Sequence, residues 1–112
     1  MPLSLLQQRD QAIATERELL RQVAVEKLHH GLKRYLPGQP VWVYGSILKP
    51  GKFRFESDID VALEHPSANH SLYALQSLLT EATEHQVDIC MLEETRLKEK
   101  IVSQGQRWTE SA

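Results

Sequence analysis

Residues 3–36 contain no proline and a single glycine, Gly31, before the chain meets Pro37-Gly38-Gln39-Pro40. A run so free of breakers, ended so abruptly, restricts the N-terminal part of the molecule to one long helix. Apolar residues recur along it at helical spacing. Leu6, Ile13 and Leu20 lie seven apart, as do Leu5, Ala12 and Leu19, and Val23, Leu28, Leu32 and Leu36 continue the stripe. Such spacing gathers them on one face, with some loosening expected near Gly31. The stripe is broad enough to serve both a core and a partner, and packing on the chain's own sheet accounts for it equally well.

Beyond the break the pattern changes. Val41-Trp42-Val43-Tyr44 is β-branched and aromatic and predicts a short strand running into Gly45-Ser46. Residues 49–57 form a polar loop with Pro50, Gly51 and the basic Lys49, Lys52 and Arg54. In Asp58-Ile59-Asp60-Val61-Ala62-Leu63 strand alternation sends Ile59, Val61 and Leu63 to one face and Asp58, Asp60 and Ala62 to the other. His65-Pro66-Ser67 stops that strand. Leu72, Leu75, Leu78, Leu79 and Ala82 mark a second amphipathic helix ending near His85, residues 87–92 read as a third strand, and a closing helix with Leu97 and Ile101 inward stops at Gly105. This order implies a small α/β domain: a mixed β-sheet with helices packed on it, preceded by the long N-terminal helix.

Composition fits a single domain over 1–112, with 41% hydrophobic and 25% charged residues. The net charge of −2 offers no general attraction to nucleic acid or to an anionic membrane, so neither direct nucleic-acid contact nor membrane binding is expected. No apolar stretch approaches the ~20 residues of a span, and the N-terminus lacks the features of a signal peptide. Cys90 is the single cysteine, which forbids an internal disulfide and suits the cytoplasm; between Ile89 and Met91 it reads as a small buried hydrophobe. The five histidines are adjacent (His29, His30) or scattered (His65, His70, His85), without a metal-ligand spacing, and read as surface or helix-end residues.

The carboxylates carry the chemical information. Asp58 and Asp60 project from one strand face about 7 Å apart, and like charges so placed repel unless a cation lies between them. Alone, such a pair also fits a solvated strand face. Asp88, however, sits between Val87 and Ile89 in an apolar strand, where an unpaired buried charge is expensive. If its strand adjoins the second, three carboxylates converge into a hard-oxygen site suited to Mg²⁺, which also takes phosphate ligands. Upstream, Gly45 permits close backbone approach, Ser46 can open a short helix, and amides at such a turn suit a phosphate.

Gly45-Ser46, then Ser57-Asp58-Ile59-Asp60-Val61, then Val87-Asp88-Ile89 together resemble the signature of the polymerase β-type nucleotidyltransferases. The similarity is strongest to the minimal (MNT) members paired with HEPN proteins in toxin–antitoxin operons. It covers about residues 41–108, the nucleotidyltransferase core, with 1–36 as the preceding helix; residues 97–105 look like the family's closing helix. The resemblance implies that Gly45, Ser46 and Lys49 bind the triphosphate, with Lys52 or Arg54 as solvated loop charges or further phosphate contacts. It implies that Asp58, Asp60 and Asp88 are the catalytic and metal-binding residues, holding two Mg²⁺ ions with ATP as substrate, and that Asp88 serves the nucleophile side. The chain departs from the family in one respect. Eleven residues separate Ser46 from Asp58, one more than usual, and Pro50 looks like the insertion. That leaves the placement of Lys49 and Gly51, but not of the aspartates, outside what the resemblance fixes.

Little sequence follows Asp88's strand to cradle an acceptor, which suggests a macromolecule bringing its own surface. The resemblance implies a HEPN ribonuclease toxin whose tyrosine hydroxyl receives AMP, with this chain as antitoxin in a hetero-oligomer. Transfer to a small molecule or an RNA end, and neutralisation by binding alone, are the alternatives.

Overall fold

The breaker-free run forms helix α1, Leu5–Tyr35, in the computed structural model, which describes residues 2–111. Met1 and Ala112, the ends of the expected domain, lie outside the described residues. Ser4 caps α1 reciprocally: its hydroxyl accepts from the Gln7 amide, and the Gln7 side chain accepts from the Ser4 amide. The expected loosening at Gly31 is not seen. The helix runs through it because the bare glycine lets α2 close in, and a Cβ there would lie 2.9 Å from Leu79 Cδ2.

After the Pro-Gly turn come strand β1, Pro40–Tyr44, and strand β2, Ile59–Leu63. Helix α2, Leu72–Thr83, and strand β3, Val87–Met91, follow. Helix α3, Lys98–Gln104, and strand β4, Gln106–Thr109, complete the order. The sheet is mixed, in the order β3-β2-β1-β4: β2 and β3 are parallel, joined through α2, while β1 is antiparallel to both neighbours. The α/β class and the three expected strands hold to within a residue or two. Strand β4, which sequence reading missed, adds an edge.

The sheet's two faces are covered unequally. Val41, Val43, Ile59, Val61, Leu63 and Val87 are buried beneath Leu28 and Leu32 of α1 and Leu75 and Leu79 of α2. The other face carries only a small cluster, Ala62, Leu92 and Ile101, flanked by Trp42, Tyr44 and Cys90. Four expectations need correction. Leu97 is not inward: it precedes α3 and is 47% exposed, while Ile101 alone points in. The polar loop hides an anchor, Phe53, which is fully buried. His85 is buried too, its ring 4.7 Å from that of Phe53 and its Nδ1 donating to the Ser57 carbonyl. Cys90 is half-buried on the thinly covered face, with Sγ 3.6 Å from the Tyr44 hydroxyl. No helix among the described residues is long and apolar enough to cross a membrane.

Helix α1 itself divides in two. Its buried residues, Ala24, Leu28, Gly31 and Leu32, all belong to the C-terminal half, whereas every residue from Leu5 to Glu16 is exposed. The apolar stripe therefore feeds the core only from about Leu20 onward. Leu28→Ala should lower unfolding free energy by about 2–5 kcal/mol, the cost of a cavity in a closed core. Leu6→Ala should change it by less than about 0.5 kcal/mol, as at other exposed sites. Denaturant unfolding of the two variants checks both values.

Candidate active site

Register brings the acidic residues together. Ile59 pairs with Val87 across the parallel ladder, and the next pair is Asp60 with Asp88. On the other side of β2, Asp60 is opposite Tyr44 of β1. Tyr44, Asp60 and Asp88 thus form one row across three strands, on the face turned away from α1 and α2. Asp58 lies one residue before β2, exposed and on the same alternation side as Asp60.

The ends of β2 and β3 are pinned where this row sits. The Ile59 amide donates to the Gln86 carbonyl at 2.8 Å, and His85 holds Ser57. Thr80 Oγ1 and Gln76 Oε1, both on α2, accept from the Val87 and Ile89 amides on either side of Asp88. The row's positions are therefore set by the half-buried Gln76 and Thr80 and the buried His85, and its own polar groups remain open.

Gly45 follows β1 with φ 88° and ψ −154°, a conformation that L side chains rarely adopt. A Cβ there would lie 2.6 Å from Asp60 Oδ2, so the aspartate carboxylate rests directly against the turn. A short 3-10 helix, Ser46–Leu48, begins at once. The Lys52 amide then donates to the Lys49 carbonyl, closing a tight turn over Pro50 and Gly51. Pro50 and Gly51 lie at the tip of that turn, and Lys49 lines the cleft beside it.

Asp60 is half-buried, and its carboxyl is held above the ordinary range, first by burial and then by the charges of Asp88 and Asp58. The Tyr44 phenol is pushed up by burial, by its hydrogen bond with Cys90 and by both aspartates, so it stays protonated. A cleft of about 340 Å³ opens alongside. Tyr44, Gly45, Lys49 and Asp60 line it together with Leu97, Lys100, Ile101 and Gln104 in and just before α3. That volume suits a small ligand. Gly45, Lys49 and Asp60 from the expected set line it; Ser46, Asp58 and Asp88 do not. Sequence reading missed Tyr44, Lys100 and Gln104, for no local motif marks them.

Among the described residues no three carboxylate, imidazole or thiol groups close into a ready-made metal cage. The aspartates nonetheless fit a divalent cation. They offer only hard oxygen donors, and the mutual repulsion felt at Asp60 is what a cation between them relieves.

A family model described as polymerase beta, nucleotidyltransferase, matches residues 26–111. No curated protein matches the chain. Among solved structures the chain is similar to a toxin–antitoxin crystallised with AMP-PNP, at 27% identity and a TM-score of 0.58, over 75% of this chain and 72% of that one. It is also similar to the toxin–antitoxin MntA-HepT, at 24% identity and a TM-score of 0.55, over 79% and 72%. A tri-AMPylated Shewanella oneidensis HEPN toxin in complex with MNT antitoxin gives 24% and 0.55, over 80% and 72%. At their lower identity the last two speak for the fold alone. The family match runs from the buried half of α1 through β4 and takes in Gly45 and all three aspartates, and the chain belongs to the polymerase β nucleotidyltransferase family.

Proposed function

We propose that this nucleotidyltransferase moves AMP from ATP, with Mg²⁺, onto a tyrosine hydroxyl of a HEPN ribonuclease toxin, and so acts as the antitoxin of the pair. The observation that carries the reading is the row of Asp60 and Asp88 in register, with Asp60 Oδ2 against the Gly45 turn. The family match supports nucleotidyl transfer, and the structural neighbour at 27% identity, a toxin–antitoxin crystallised with AMP-PNP, supports ATP as substrate and a toxin as partner.

In this reading Asp58, Asp60 and Asp88 would hold the Mg²⁺, their carboxylates supplying hard oxygen donors. Bound there, the ions would supply charge neutralisation at the attacking and leaving oxygens of an in-line displacement. The backbone of Gly45 and Ser46 and the Lys49 ammonium hold the triphosphate, while Lys100 and Gln104 close the cleft over it. The acceptor hydroxyl gives its proton toward Asp88, its oxygen bonds to the α-phosphorus, and the bond to the departing pyrophosphate breaks. AMP on the toxin adds bulk and negative charge where RNA must bind.

Incubation with the toxin, ATP and Mg²⁺ should add the mass of one or more AMP groups to the toxin. The double variant Asp58→Asn/Asp60→Asn should fold and yet lose at least about 10²-fold in transfer, since even indirect metal partners are worth 10–100-fold. Cells coexpressing it with the toxin should not be protected. Protection without added mass would replace this reading with neutralisation by binding.

Gly45→Ala should cost about 1–3 kcal/mol from backbone strain and displace the Asp60 carboxylate, abolishing transfer. Its unfolding midpoint and its transfer rate are the readouts.

Millimolar Mg²⁺ with ATP should raise Tm by several degrees, as ligands of the native state do. Because Asp60's carboxyl is raised from its ordinary 3.8, stability present below that pH is lost as pH climbs through the folded value. Asp60→Asn should therefore melt higher than the parent at pH 7 without metal, and gain little from Mg²⁺. Equal metal-free melting of the two would overturn the repulsion argument.

A further inference from the structure

We propose that the projecting half of α1 pairs, antiparallel, with the same segment of a second copy of this chain. The segment Leu5–Leu20 spans about 24 Å at 1.5 Å per residue. Leu5 is 85% exposed, Leu6 64% and Leu19 57%, and Ile13 lies exposed between them. The family match begins only at Glu26, and every residue from Leu5 to Glu16 is exposed. Exposed leucines on a helix that stands clear of its own domain mark an interaction surface, and Arg9 and Glu16 lie among them on the same arc.

The charges select the occupant. A two-fold axis between Ala12 and Ile13 sets Leu5 against Leu20 and Leu6 against Leu19 of the second copy. The same axis sets Arg9 against Glu16, twice per pair. Neither Arg9 nor Glu16 has an ion-pair partner among the described residues. The other charged residues meet neutral ones in this register: Asp10 faces Thr15, Arg17 faces Gln8 and Glu18 faces Gln7. Parallel pairing would instead oppose Arg9 to Arg9 and Glu16 to Glu16, and like charges across a helix seam repel. The segment is thus complementary to its own reverse.

The surroundings agree. Residues from Leu20 onward are anchored in the core, so antiparallel pairing puts the two folded bodies at opposite ends. Anchoring also removes the nucleation cost that makes so short a helix marginal in isolation. Beside Leu20 the exposed Phe55, with Glu16, Arg17 and Arg54, borders a shallow cleft at the place where the second copy's Leu5 arrives. The active-site cleft has no residue in the segment, so pairing leaves it open.

Sedimentation velocity of the purified chain alone tests this without reference to nucleotide transfer. At tens of micromolar the mass should be twice the 12.8 kDa of one chain, with a dissociation constant on the order of micromolar. Leu6→Lys/Ile13→Lys should give a monomer with unchanged circular dichroism. Arg9→Glu should weaken pairing roughly tenfold by turning two attractions into two repulsions, and Arg9→Glu/Glu16→Arg should restore it. A monomeric parent at these concentrations overturns the proposal, as it would if only the toxin covered this face. A dimer indifferent to Arg9→Glu, or not restored by the double reversal, overturns the antiparallel register.

Discussion

Two carboxylates stand side by side in the β2–β3 ladder because the residues next to them leave no alternative. Strand alternation means that a one-residue slip would turn Ile59, Val61 and Leu63 out of the core. All three are essentially inaccessible to solvent. Burying each such side chain is worth about 1.5–3 kcal/mol. Two like charges about 5 Å apart on a water-facing surface cost about 1 kcal/mol. Core burial therefore fixes the register, and the Asp60–Asp88 repulsion is carried as a small debt by a fold with ample reason to keep its pairing.

The same comparison explains what could be read in the sequence. Where alternation or helical spacing coincides with burial, as in β1, β2, β3, α2 and the second half of α1, local pattern and final structure agree. Strand β4 shows no such pattern. Gln106-Arg107-Trp108-Thr109 offers one apolar residue, and its place comes from pairing with β1 and from Trp108 stacking on His29 at 4.1 Å. Phe53 is hidden in a similar way: its neighbours in sequence are polar, and only the meeting of the loop with His85 makes it core. Leu97 errs in the opposite direction, since helical spacing cannot reveal that α3 begins after it.

For the site, sequence reached the residues whose chemistry is unusual for their setting. Asp88 amid apolar neighbours and Gly45 at a strand's end are conspicuous because ordinary packing would not choose them. Tyr44, Lys100 and Gln104 are ordinary residues in ordinary positions. They become part of a cleft only because α3 crosses the sheet's second face beside β1. No interval along the chain encodes that crossing.

The second face also shows how stability and an open site share so small a sheet. Full cover by a long helix would bury Trp42, Tyr44 and Cys90 and close access to Asp60 and Asp88. A seven-residue helix with one buried anchor, Ile101, leaves the acidic row open. The first face must then supply most of the core, which ties folding to the second half of α1. That half cannot be shortened without exposing Val61 and Leu63, whereas the first half lies clear of the body. One continuous helix consequently joins the part on which folding depends to a part free to meet another molecule.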